Sequence, residues 1–132
     1  MKNLYLTIIL ISFSAFRLMA QPSNDACSGA ISIPVTNGSC TSGAFTNVGA
    51  TSVGDPATPP CWAPNSLSNT VWFSFVAPST AVEVSTNFGF ALTNTQVAIY
   101  SGNCGALTLI GCNEDINTSL GLFHTNIQLQ GL

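Results

Sequence analysis

An all-β fold is what this sequence predicts, and three observations predict it. Short runs alternate apolar and polar residues with period two, and clusters of Gly, Asn, Pro and Ser separate the runs. Beyond residue 20, no stretch carries apolar residues at helical spacing over three turns. About seven short strands joined by such turns argue for an antiparallel β-sandwich or jelly roll.

The first element is not part of that fold. Lys2 opens the chain, an apolar run follows from Leu4 to Phe16, and the small residue Ala20 precedes Gln21. This is the order of a secretory signal peptide, residues 1–20, with cleavage after Ala20. The run is too short for a bilayer, which needs about 20 residues, so no membrane anchor is expected after cleavage. The rest of the chain, residues 21–132, is one domain's worth.

The strands follow in order. Ile31 to Val35 and Ala44 to Val48 are the first candidates, with Asn37 and Gly38 between them suited to a tight reversal at positive φ. The segment from Asp55 to Asn65 holds Pro56, Pro59, Pro60 and Pro64, which lack amide donors, so it is a long loop. Val71, Phe73 and Phe75 then alternate with Trp72 and Ser74, which puts three large apolar groups toward the core. Val82, Val84 and Thr86 alternate with Glu83 and Ser85, and Val97 and Ile99 with Gln96 and Ala98. After a Gly and Asn connection from Ser101 to Gly105 come Leu107 to Gly111 and Leu122 to Leu129. In the last strand Phe123, Thr125, Ile127 and Leu129 form the apolar face, opposite His124, Asn126 and Gln128.

Composition excludes whole classes of partner. Charged residues make up 5% of the chain, against about 25% in an ordinary soluble protein. Lys2 and Arg17 are the only basic side chains apart from His124, and both lie in the leader, whereas Asp25, Asp55, Glu83, Glu114 and Asp115 all follow it. Nucleic-acid phosphates and anionic lipid surfaces are both bound through Lys and Arg, so neither is an expected partner.

Cys27, Cys40, Cys61, Cys104 and Cys112 follow the leader into an oxidising destination, where disulfides are the default. Their number is odd, and spacing does not choose among the pairings. Were Leu107 to Ile110 a strand, Cys104 and Cys112 would lie about 26 Å apart at about 3.3 Å per residue. A disulfide needs Cα atoms within about 7 Å, so either that segment folds back or the two have other partners.

Three segments together carry a resemblance: Asn24-Asp25-Ala26-Cys27, Val71-Trp72-Phe73-Ser74-Phe75, and Tyr100 to Leu107 running on to Cys112-Asn113-Glu114-Asp115. The chain from Asn24 to about Leu129 resembles the secreted jelly-roll modules of gliding bacteria that use type IX secretion, which are CUB-like and similar to pre-peptidase C-terminal domains. The resemblance implies further strands after those seen here, so the module is expected to be a fragment lacking its last strands, with an open sheet edge. It also implies a calcium site in end loops, for which Asp25, Glu114 and Asp115 are the candidate oxygen ligands; no other cofactor is called for. The competing reading is a solvated loop whose Asn113 and Asp115 cap a turn.

Trp62 and Tyr100, with Trp72, are the candidate sugar platform, because flat rings stack on pyranose faces. Trp72 within a strand is as readily explained by core packing. Zinc-protease, nucleophile-elbow and phosphate-loop motifs do not occur, and no catalytic residue is proposed. The expected function is a non-catalytic extracellular accessory or adhesion-type module, secreted or at the cell surface, that binds a protein or glycan. The alternatives are a carbohydrate-binding module and an accessory domain of a secreted protease.

Overall fold

The computed structural model describes residues 20–35, 45–64, 66–86 and 94–132. Cys40, Ala44, the reversal at Asn37 and Gly38, and the leader up to residue 19 lie outside the described residues. Within them the chain is all-β, with six strands, two single-turn 3₁₀ segments at Cys27–Gly29 and Thr118–Leu120, and no α-helix. The strands are β1 (Ile31–Ser32), β2 (Phe73–Ser74), β3 (Ala81–Ser85), β4 (Val97–Asn103), β5 (Ala106–Asn113) and β6 (Asn126–Gln130). They pair as three ribbons, β1 with β2, β3 with β6, and β4 with β5.

The two longer ribbons are antiparallel, as the alternation predicts. In β3–β6, Val82 faces Leu129 and Val84 faces Ile127 across the ladder, so both strands turn their apolar residues the same way. Ile99, Ile127 and Leu129 form the buried cluster, and Phe75, Val84 and Val97 pack against it. Gly111 in β5 sits directly over β6. A Cβ there would lie 2.9 Å from Leu129 Cδ2 and 3.4 Å from Ile127 Cγ2, so only glycine admits this approach without a shift of its neighbours.

A bulge sets which residues of β5 face that cluster. Ile99 pairs with Gly111 but Tyr100 pairs with Leu109, leaving Ile110 as the extra residue, 39% exposed. Because the pleat alternates, the additional residue moves Leu109 onto the face of Tyr100 and leaves Gly111 on that of Ile99. The connection between β4 and β5 is shorter than the expected Ser101 to Gly105. The ladder runs on to Asn103 opposite Ala106, so Cys104 and Gly105 alone make the turn.

Four expectations are corrected. First, β1 and β2 run parallel, whereas an antiparallel sheet was expected throughout. Second, Phe45–Val48 is no strand, because the Thr46 hydroxyl accepts the Val48 amide and offers the backbone a local alternative to a ladder. Third, β1 stops before Pro34, which has no donor to continue it, although the Ile33 amide still reaches the Ser74 carbonyl at 2.9 Å. Fourth, the last strand begins only at Asn126. Upstream of it, Asn117 accepts the Leu120 amide on its side chain and exchanges backbone bonds with Leu122, and Gly121 adopts φ 69°. That local turn leaves Phe123 39% exposed, while Thr125, Ile127 and Leu129 are buried as the alternation requires.

Val71, Phe73 and Phe75 are each half-buried. Phe75 joins the central cluster, whereas the Phe73 ring meets Phe45 edge-on at 4.8 Å.

Candidate binding site

Two disulfides tie loops to the β4–β5 ribbon. Cys27 joins Cys104 at the hairpin turn, with Cα atoms 5.7 Å apart, and Cys61 in the proline-rich loop joins Cys112 on β5, with Cα atoms 6.1 Å apart. Cys104 and Cys112 thus have separate partners, which resolves the spacing question in favour of an extended β5.

The proline-rich loop turns on itself where the Trp62 amide meets the Pro59 carbonyl. Two contacts besides the disulfide then hold it to the end of β5, and a third joins Glu114 to Gln96 ahead of β4. Trp62 Nε1 donates to the Asn113 carbonyl at 3.2 Å, the Ala63 amide donates to Glu114 Oε2 at 2.9 Å, and Gln96 Nε2 donates to Glu114 Oε1 at 2.7 Å. The Gln96 amide also reaches Ser66 Oγ at 3.0 Å. Glu114 is therefore the clasp of this loop, with both oxygens occupied.

A second aromatic pair lies at the β2 end. Trp72 Nε1 donates to Asp55 Oδ1 at 2.8 Å, and the Trp72 and Tyr100 rings stand 5.8 Å apart at 39°. The Tyr100 phenol is held above its ordinary pKa, first by burial, which disfavours the phenolate, and then by the Asp55 charge. Asn24, 3% exposed, donates its side-chain amide to the Trp72 carbonyl at 3.0 Å and accepts the Trp72 amide on its own carbonyl at 2.8 Å.

Trp62, Trp72 and Tyr100 line one open cleft of about 2110 Å³, together with the amides of Asn69, Gln96 and Asn103. Sites that enclose a small molecule span roughly 300–1,000 Å³. This space is larger, and its lining includes Phe75, Val84, Val97, Ile99 and Leu129 of the central cluster. Trp72, just ahead of β2, meets Tyr100, and both line this space with Trp62.

The three acids proposed for calcium have different neighbours. Asp25 takes the Thr51 amide on Oδ1 and the Thr51 hydroxyl on Oδ2, the latter at 3.0 Å. Glu114 is the loop clasp already described, and Asp115 Oδ1 is buried without a hydrogen-bond partner, as are Asn113 Oδ1 and His124 Nδ1. Among the described residues, no group of three or more His, Cys, Asp or Glu side chains is placed to hold a metal ion.

Sequence reasoning placed Thr125 on the inward face of the last strand but missed its hydrogen-bonding role. It is the one fully buried side chain among the described residues. Its hydroxyl donates to the carbonyls of Thr95 and Glu114, and its amide to the hydroxyls of Thr86 and Thr95. Its place on the inward face of the last strand was the only signal; the threonines at 86 and 95 carry no pattern that marks them as partners.

No known protein family, curated protein or solved structure matches this chain. Among the described residues, no helix is long and apolar enough to cross a membrane.

Proposed function

We propose that this chain is an exported, non-catalytic β-sandwich module that serves as an accessory or adhesion-type domain of a secreted or cell-surface protein. The two disulfides carry the reading, because such bridges form and persist in oxidising compartments and are rare in the cytosol. The leader at residues 1–20 agrees with them. Two apolar layers are supported by the seat of Gly111 against Ile127 and Leu129. A binding rather than a chemical role is supported by Asp25 and Glu114, each of which is committed to two protein donors. The resemblance to jelly-roll modules of type IX secretion points the same way.

The test is to express the full chain with its leader in an exporting bacterium and titrate thiols in denaturant before and after reduction. The reading expects product outside the cytoplasm, with four of the five cysteines reactive only after reduction. Cytoplasmic retention with every thiol free would overturn it.

A second reading, carbohydrate binding, is favoured by the shared cleft of Trp62, Trp72 and Tyr100. Affinity electrophoresis through polysaccharide gels tests it, with Trp62→Ala as the control. Retardation that the substitution abolishes supports a glycan ligand. Migration unaltered by every polysaccharide leaves protein as the partner.

A further inference from the structure

We propose that Asn117, in the turn between β5 and β6, is the attachment site of an N-linked glycan. The inference rests on the export reading above, because oligosaccharide donors carried on membrane lipid diphosphates are met on the export route. Asn117-Thr118-Ser119 is an Asn-x-Ser triplet without proline, the acceptor motif for this modification. One other such triplet follows the leader, at Asn37, outside the described residues.

The fold presents the triplet as an acceptor has to be presented. Asn117, Thr118 and Ser119 are all exposed. The side-chain oxygen of Asn117 accepts the Leu120 amide at 3.2 Å. Only the oxygen of a carboxamide can meet an N–H, so that bond fixes Nδ2 as the other end, and among the described residues no hydrogen bond engages Nδ2 or the Ser119 hydroxyl. The carboxamide nitrogens of Asn24, Asn69 and Asn126, by contrast, each donate to a protein acceptor. The turn is also closed by its own backbone: Asn117 and Leu122 exchange bonds of 3.1 and 2.9 Å, and Gly121 takes φ 69°. None of these residues belongs to the central cluster, so a transferase can engage the turn without opening the core.

The transfer balances without oxidation or reduction. Asn117 Nδ2 forms a bond to the anomeric carbon of the first sugar, the bond from that carbon to the lipid diphosphate breaks, and the diphosphate leaves with the electron pair. Nδ2 gives up one proton to a base of the transferase. The place of attachment gives the glycan work to do. Leu120 is 71% exposed, and Ile116, Leu122 and Phe123 in the same segment are exposed as well. A glycan at Asn117 sets hydroxyls beside these apolar side chains, in a chain whose charged residues make up only 5%.

Protein purified from the cells that make it, reduced and cut by a protease specific for glutamate, should yield a peptide that starts at Asp115 and contains Asn117. Its mass should exceed that of the bare peptide by whole sugar residues, and both Asn117→Gln and Ser119→Ala should abolish the excess. Ser119→Ala keeps the bond between Asn117 and Leu120, so it separates loss of the motif from loss of the turn. A bare peptide from exported wild-type protein would refute the site and leave export standing. Added mass that survives Asn117→Gln would refute it in favour of a sugar on a neighbouring hydroxyl. A cytoplasmic chain that retains its leader and carries no sugar would overturn both readings together.

Discussion

Replacing Thr125 with valine keeps nearly all of its volume and deletes one hydroxyl, so it isolates the bonding that this residue performs. Thr125 is 0% exposed, and its single hydroxyl proton is shared between the Thr95 and Glu114 carbonyls. Without it those two carbonyls lose the donor that this buried side chain supplies. An orphaned buried acceptor costs about 1–3 kcal/mol, and because one proton serves both, that range applies to the pair. Thr125→Ser keeps the hydroxyl and loses a methyl, worth about 0.8 kcal/mol. The expected order of stability is wild type, then serine, then valine. Apolar transfer alone predicts the reverse for valine, since a buried methyl is favoured over a hydroxyl. Urea unfolding with a common slope gives the comparison. A valine variant as stable as wild type, or a serine variant less stable than valine, would refute the hub role.

Three further outcomes are expected. Closing loops of 77 and 51 residues by the two disulfides is worth about 4 kcal/mol each by chain entropy, against about 5–15 kcal/mol for a whole domain; reduction should therefore lower the melting temperature sharply, and superimposable melts with and without reductant would contradict this. Tyr100 is the only tyrosine after the leader, so its phenolate absorbance can be titrated alone, and its midpoint should lie above the ordinary value of about 10. Because the folded pKa is the higher one, the stability it contributes is whole below the unfolded pKa and is lost as pH rises through the folded value; Asp55→Asn should bring the midpoint part of the way down, and a wild-type midpoint at the ordinary value would sink the assignment. Gly111→Val should cost about 1–3 kcal/mol by overpacking, and more than Gly111→Ala, whose Cβ meets chiefly the movable end of Leu129; equal stability of wild type and valine in urea unfolding would mean β5 does not seat on β6.

The longer strands were legible because alternation is a local property. Val82 and Val84, Val97 and Ile99, and Ile127 and Leu129 announce their inward faces within a few residues, and each pair is buried or half-buried. The misplaced ends have local causes of another kind, which alternation does not register. Thr46 bonds its own neighbour's backbone, and Asn117 with Gly121 folds Leu122 back before a strand can start. Both turns were present in the sequence as ordinary polar residues inside apolar runs. The parallel pairing of β1 and β2 was not legible at all, because strands of two residues 42 positions apart carry no directional signal.

The candidate site shows what composition can and cannot decide. A chain with no Lys or Arg beyond its leader has no fixed cation to give its carboxylates, so those that find a partner within the protein are met by neutral donors. Four of the five are met that way, Asp25 by Thr51, Asp55 by the Trp72 indole, Glu83 by the Asn126 amide, and Glu114 by the Ala63 backbone and the Gln96 amide, whereas the buried Oδ1 of Asp115 has no hydrogen-bond partner. That these donors are hydroxyls, amides and an indole follows from the sequence. Their identity does not, because Thr51, Trp72, Asn126, Ala63 and Gln96 lie between 17 and 51 residues from the acids they serve. A carboxylate that clasps a loop and one that ligates calcium present the same oxygen to a reader of the sequence. For Asp25 and Glu114 the donors that arrive in space are the protein's own N–H and O–H groups.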